Sequence, residues 1–296
     1  MKDSFSTYHP VVNFVFYGLI LGISMFFMHP VLMVISALGA LSYVVCLKGK
    51  KAVFVVFAMA FPVMIFSSVL NPLFTHQGVT ILYYFESGNP LTLESIVYGL
   101  AAGIMMAIVI LWFSSLNVVM TSDKFVYLFG KILPAISLLL SMVFRFVPRF
   151  YAQMAKVSSA QKCIGRDVTN GSVKQKLHQG IKILSIMITW SLENSVETAD
   201  SMKSRGYGLR GRTNFHLYSF EKRDKALLVL MVLAFFWIVV GITSEKLSVL
   251  YYPVFSMNEW SVYAVIGYIL YGIVCFLPMI LNIAEDIKWH YLKLKI

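Results

Sequence analysis

The sequence predicts an all-α polytopic membrane protein, with about six transmembrane helices and a cytoplasmic coupling domain of long amphipathic helices. Three observations predict it. Hydrophobic residues make up 58 % of the 296-residue chain and the mean hydropathy is +0.75, above the ~45–50 % apolar content of soluble domains. Uncharged apolar runs of roughly 18 residues, long enough to cross a hydrocarbon core as helix, recur along the chain. Seventeen of the twenty-five Lys and Arg residues fall between Thr121 and Lys225.

The apolar runs are Val11 to Met28, Val31 to Leu47, Ala52 to Leu70, Ile96 to Val119, Ala226 to Thr243 and Val262 to Leu281. They divide the chain into spans 1–4 (residues 1–120), a coupling region (121–225), and spans 5–6 with a C-terminal tail (226–296). Lys48, Lys50 and Lys51 mark the loop between the second and third spans as cytoplasmic, because short basic loops stay inside. The same parity puts both termini and the coupling region in the cytoplasm. It puts Asn71 to Ser95, which has no Lys or Arg, outside. The chain is expected in the cell membrane, with the first run retained as a span and not removed as a signal peptide.

The spans contain no Asp, Glu, His, Lys or Arg, the groups with which self-sufficient carriers bind or relay a coupling ion. Pro62 and Gly103 are the two residues expected to perturb a span. A secondary carrier is therefore the weaker alternative, and a membrane-embedded enzyme acting on lipid is weaker still, since no carboxylate or His cluster marks a catalytic site. No P-loop motif is present. Cys46, Cys163 and Cys275 are widely separated, form no C-x-x-C and read as small apolar residues. His29, His76 and Glu86 fall on the outer side without the spacing of a metal site, so no metal ligand, catalytic residue or cofactor site is assigned. Asn71-Pro72 and Asn89-Pro90 read as turns at the ends of the outer loop.

The coupling region carries seventeen basic and seven acidic residues, a balance of 17 − 7 = +10 against +11 for the whole chain. Anionic membrane lipid is one partner for such charge. Nucleic acid is not expected, because aromatic-interleaved and groove-reading patterns are missing. Within the region, residues 131–147 are apolar but interrupted by Pro134 and Arg145, and are read as an interfacial or partner-covered helix. A short amphipathic helix is expected to follow Pro148, with Arg145 and Arg149 either setting its start or reaching lipid phosphate. It stops at Ile164, Gly165 and Arg166.

From Lys174 to Arg205, Leu177, Ile181, Leu184, Ile188, Leu192, Val196, Ala199 and Met202 recur at spacings of three or four, the signature of an amphipathic helix. Gly180 is the one expected break. The helix ends at Ser204, Arg205 and Gly206, where glycine suits a left-handed cap and arginine complements the helix dipole. A routine glycine cap beside an arginine accounts for each of the two ends taken singly.

Four phrases carry a family resemblance: Asn71-Pro72-Leu73-Phe74-Thr75-His76-Gln77-Gly78, Ser141-Met142-Val143-Phe144-Arg145-Phe146-Val147-Pro148-Arg149-Phe150, Ala160-Gln161-Lys162, and Ala199-Asp200-Ser201-Met202-Lys203-Ser204-Arg205-Gly206-Tyr207. In this order they resemble the transmembrane T component of energy-coupling factor transporters, including the cobalt-type permease subunits. The resemblance implies a non-catalytic scaffold that joins two ABC-type ATPase subunits, which bind the ATP and Mg, to a small membrane protein that captures a vitamin or transition-metal ion. It also implies two coupling helices whose Ala-Arg-Gly-like ends dock on the ATPases. Ser204-Arg205-Gly206 matches with Ser for Ala, while Ile164-Gly165-Arg166 departs by Ile in place of Arg.

Overall fold

The computed structural model describes residues 3–84, 89–130, 134–166, 172–207, 209, 218–258 and 261–294. The chain forms two compact units, one made of residues 1–124 and 218–296 and the other of residues 125–217.

The first unit is built from apolar helices at all six expected positions. After a short 3-10 turn at Phe5–Thr7 come α1 (Pro10–Phe26), α2 (Pro30–Lys48), α3 (Lys50–Phe74) and α4 (Leu93–Val119). Prolines at the first position of α1 and α2 cost no hydrogen bond there, which is why these helices start where they do. Between α3 and α4 a small hairpin pairs β1 (Ile81–Tyr84) with β2 (Pro90–Thr92). Glu86 lies outside the described residues. After α5 (Ser122–Gly130), α6 (Pro134–Cys163) and α7 (Val173–Ser204), the chain returns through α8 (Lys222–Thr243). A second hairpin, β3 (Val249–Leu250) with β4 (Ser256–Met257), then leads to α9 (Val262–Leu294). Pro30–Lys48, Leu93–Val119, Lys222–Thr243 and Val262–Lys293 are long and apolar enough to cross a membrane, and Pro10–Phe26 and Ala58–Phe74 are shorter apolar helices. The fold is an all-α polytopic membrane fold.

A membrane offers helices no hydrophobic drive to associate, so packing and buried polar contacts hold them. Gly99 and Gly103 form a Gly-x-x-x-Gly face of α4 lying directly on the α3 backbone. A Cβ at Gly103 would sit 2.7 Å from the Met64 carbonyl, and one at Gly99 would sit 2.9 Å from the Asn71 Cβ. Gly103 thus leaves its span unperturbed and serves close approach. Gly39 of α2 plays the same part against Cys275 of α9, at 2.8 Å. Gly103→Val is expected to cost about 1–3 kcal/mol through overpacking, read as a lower melting temperature in detergent. Gly18→Ala, whose Cβ would meet nothing within 4 Å, should leave that temperature unchanged.

The core is aromatic and threaded with hydroxyls. Phe16 stacks edge-on against Phe5 and Trp112, with ring centroids 4.8 and 5.7 Å apart. Trp112 Nε1 donates to Ser36 Oγ at 2.9 Å, and Ser24 bridges Ser36 and the Tyr271 hydroxyl at 3.1 and 3.3 Å. These polar atoms are buried and find one another, as the absence of water at this depth requires.

At one end of the bundle the N-terminal segment is sewn into four helices. Ser4 N–H donates to Asn282 Oδ1 at 2.7 Å, and Asn282 Nδ2 and the Tyr43 hydroxyl donate to Asp3 at 2.8 and 2.9 Å. Asp224 accepts the His9 and Glu221 N–H groups at 3.3 and 2.9 Å. Lys124 is 5 % exposed. Its ammonium donates to the Ser6 and Val119 carbonyls at 2.6 and 2.8 Å, and to the Asn13 side-chain oxygen at 2.9 Å when that amide is turned to satisfy both its ends. Burial lowers the Lys124 pKa from the ordinary lysine value, with the Asp3 charge opposing.

Candidate functional site

The second unit centres on α6 and α7, which pack on each other. Serine at the N-cap and Gln175 at the third helical position form a reciprocal capping box that starts α7 after Ser172. The helix then runs unbroken through Gly180 for 32 residues, about 48 Å at 1.5 Å per residue.

Helix α6 differs from expectation. The stretch 134–147 and the helix after Pro148 are one 30-residue element, with Pro148 in its interior. Arg145, Pro148 and Arg149 therefore lie mid-helix, and no helix starts there. A proline removes one backbone hydrogen bond and biases the preceding residue away from helix, but apolar periodicity continues on both sides and the helix bridges it. Residues 131–133 lie outside the described residues.

The long apolar stripe of α7 also differs. The residues that meet α6 are Ile183 and Met187, 8 % and 6 % exposed, and Trp190, whose ring is 5.3 Å from that of Phe150. The predicted stripe lies to one side of this seam. Leu184 and Ile188 are 59 % and 53 % exposed, and Leu177, Ile181, Leu192 and Val196 are exposed as well. With Val143, Val147, Tyr151 and Met154 of α6, the middle of this stripe borders an open apolar groove of about 900 Å³. A groove this size is lined almost wholly by carbon, which marks a surface built to be covered.

Both helices end in the same backbone device. At the end of α6, Gly165 has φ +77°, its N–H donates to the Lys162 carbonyl at 3.0 Å and the Arg166 N–H donates to Gln161 at 2.9 Å. At the end of α7, Gly206 has φ +82°, its N–H donates to Lys203 at 3.0 Å and the Tyr207 N–H donates to Met202 at 3.0 Å. Each pair of bonds defines a Schellman motif, whose left-handed residue is glycine because a Cβ is disfavoured there. The equivalence fixes the register: Ser204-Arg205-Gly206 corresponds to Cys163-Ile164-Gly165. Ile164, 66 % exposed, occupies the place of Arg205. Arg166 falls one residue beyond the left-handed glycine, in the place of Tyr207. Arg205, Arg166, Ser204 and Gly165 are all exposed.

His29 occupies the N-cap position of α2, and its Nε2 lies 3.0 Å from the Tyr268 hydroxyl of α9. Among the described residues no group of three or more His, Cys, Asp or Glu side chains comes together as a metal site.

Apolar helices with buried hydroxyl pairs define a multi-pass membrane protein, which also carries a two-helix unit with an exposed apolar groove and two capped, exposed ends. Residues 1–217 match the family described as cobalt transport protein, CbiQ. The chain belongs to that transporter family. It is 32 % identical over 108 residues to the energy-coupling factor transporter transmembrane protein EcfT of Lactobacillus helveticus, a stretch covering 36 % of this chain and 37 % of that one. It is 29 % identical over 202 residues to the EcfT of Listeria innocua, covering 60 % of this chain and 76 % of that one. Against the EcfT of Bacillus subtilis it is 27 % identical over 188 residues, covering 58 % and 69 %.

Proposed function

We propose that the chain is the transmembrane scaffold of an energy-coupling factor importer. Two ABC-type ATPase subunits, which bind ATP and Mg, dock on the ends of α6 and α7, and a small substrate-capture membrane protein for a vitamin or a transition-metal ion packs against the apolar groove. The family match carries this reading, and the exposed ends of the two long helices, with Arg205 at one and Ile164-Gly165-Arg166 at the other, supply surfaces for it. At the α7 end, Arg205 offers a planar five-donor fork that suits a carboxylate in a partner's groove. At the α6 end the backbone turn is the same, but Ile164 supplies an apolar contact and Arg166 the charge. A rigid helix then transmits ATPase closure to the membrane part by displacement, with no chemistry in this chain. Both termini and the coupling unit lie on the cytoplasmic side in this reading.

Purification of the full chain in mild detergent tests it. ATPase subunits and a small membrane protein should accompany the chain, and uptake in reconstituted vesicles should require all of them with ATP. Uptake by this chain without any ATPase would overturn the proposal.

A further inference from the structure

One exposed face of α7 is not explained by either docking end. Over residues 173–182 every titratable side chain is basic: Lys174, Lys176, His178 and Lys182. Acidic residues on the helix appear only later, at Glu193, Glu197 and Asp200. Cations in the opening turns of a helix oppose its dipole, and the capping box already serves the first N–H groups. This placement therefore does not stabilise the helix. On the same turns Val173, Leu177 and Ile181 are 76 %, 62 % and 60 % exposed and line one apolar depression with Lys176 and Gly180. At 3.6 residues per turn, Lys174 and Lys176 flank this apolar strip on its two sides.

We propose that this face, centred on Leu177 and Ile181 between Lys174 and Lys176, binds the anionic headgroups of a membrane leaflet. Exposed aliphatics between lysines, without a carboxylate among them, are complementary to a surface that is negative at the phosphates and apolar just beneath. An acidic protein face would meet the lysines equally well, but gives no account of three large aliphatics held in solvent beside them. The chain's own spans hold it at a bilayer, so this partner is always at hand. The inference rests on the membrane reading and is independent of the ATPase docking.

The complete transporter, carrying Leu177→Cys labelled with an environment-sensitive fluorophore in a Cys163→Ser background, is placed in nanodiscs of phosphatidylcholine alone or with phosphatidylglycerol. Emission should shift to the blue only with phosphatidylglycerol, and the shift should reverse in high salt. Lys174→Gln and Lys176→Gln should each weaken the lipid response about fivefold, and Lys174→Arg with Lys176→Arg should retain it. Emission indifferent to lipid charge would overturn the proposal. So would a shift that follows the ATPase or capture subunits whatever the lipid, since a protein would then cover the face. Co-purification of the ATPases, read in the same preparations, reports separately on the proposed function.

Discussion

On the proposed docking, an Arg205→Ala variant is expected to bind ATPase subunits about 30-fold more weakly, with uptake falling in proportion while the chain itself stays folded. The size follows from the loss of one partner of a desolvated, hydrogen-bonded charge pair, about 2 kcal/mol or more. Folding should be spared because the side chain is exposed and the turn is closed by backbone bonds from Gly206 and Tyr207. Arg205→Lys keeps the charge without the fork, and should recover only part of the binding. The measurement is the salt at which ATPase subunits elute from immobilised transporter, alongside uptake in vesicles. Wild-type elution and wild-type uptake for Arg205→Ala would remove Arg205 from the docking site.

Lys124→Met is expected to produce the largest loss of stability of any single substitution at the N-terminal end of the bundle, about 2–4 kcal/mol, since each buried acceptor left unpaired costs about 1–3 kcal/mol and relief of the ammonium's desolvation offsets part of the sum. Methionine fills much the same space, so the loss isolates the ammonium. Removing it leaves the buried Val119 carbonyl, the buried Asn13 side-chain oxygen and the half-buried Ser6 carbonyl without this donor. A drop of about 10 °C in the detergent melting temperature is the expected reading. A shift under about 2 °C would show that water replaces the ammonium there.

Six helix positions were legible because a run of twenty uncharged residues has one stable form in lipid. The α7 stop at Gly206 was legible for a local reason: a left-handed cap is chosen by the residue that occupies it. Three other features were not. Periodicity found the stripe from Leu177 to Val196, but periodicity states that a face is apolar and not what covers it. Only the structure separates that stripe from the Ile183 and Met187 seam. Pro148 looked like a beginning because prolines favour first turns, and α1 and α2 do begin that way, yet α6 carries it in its interior. Lys124 was counted with the basic region, whereas its charge is spent inside the bundle on the nearby Val119 carbonyl and on the Ser6 carbonyl 118 residues away.

The bonds that sew the N-terminal segment into place also impose an order on assembly. Ser4 and Asn282 are 278 residues apart, so Ser4 finds its acceptor only once α9 is in place. Until then Asp3 lacks one of its partners and Ser4 its acceptor, and the earlier helices stand as an open set. The contacts of residues 3–9 thus report that α2, α8 and α9 have come together, since no two of these helices satisfy them all.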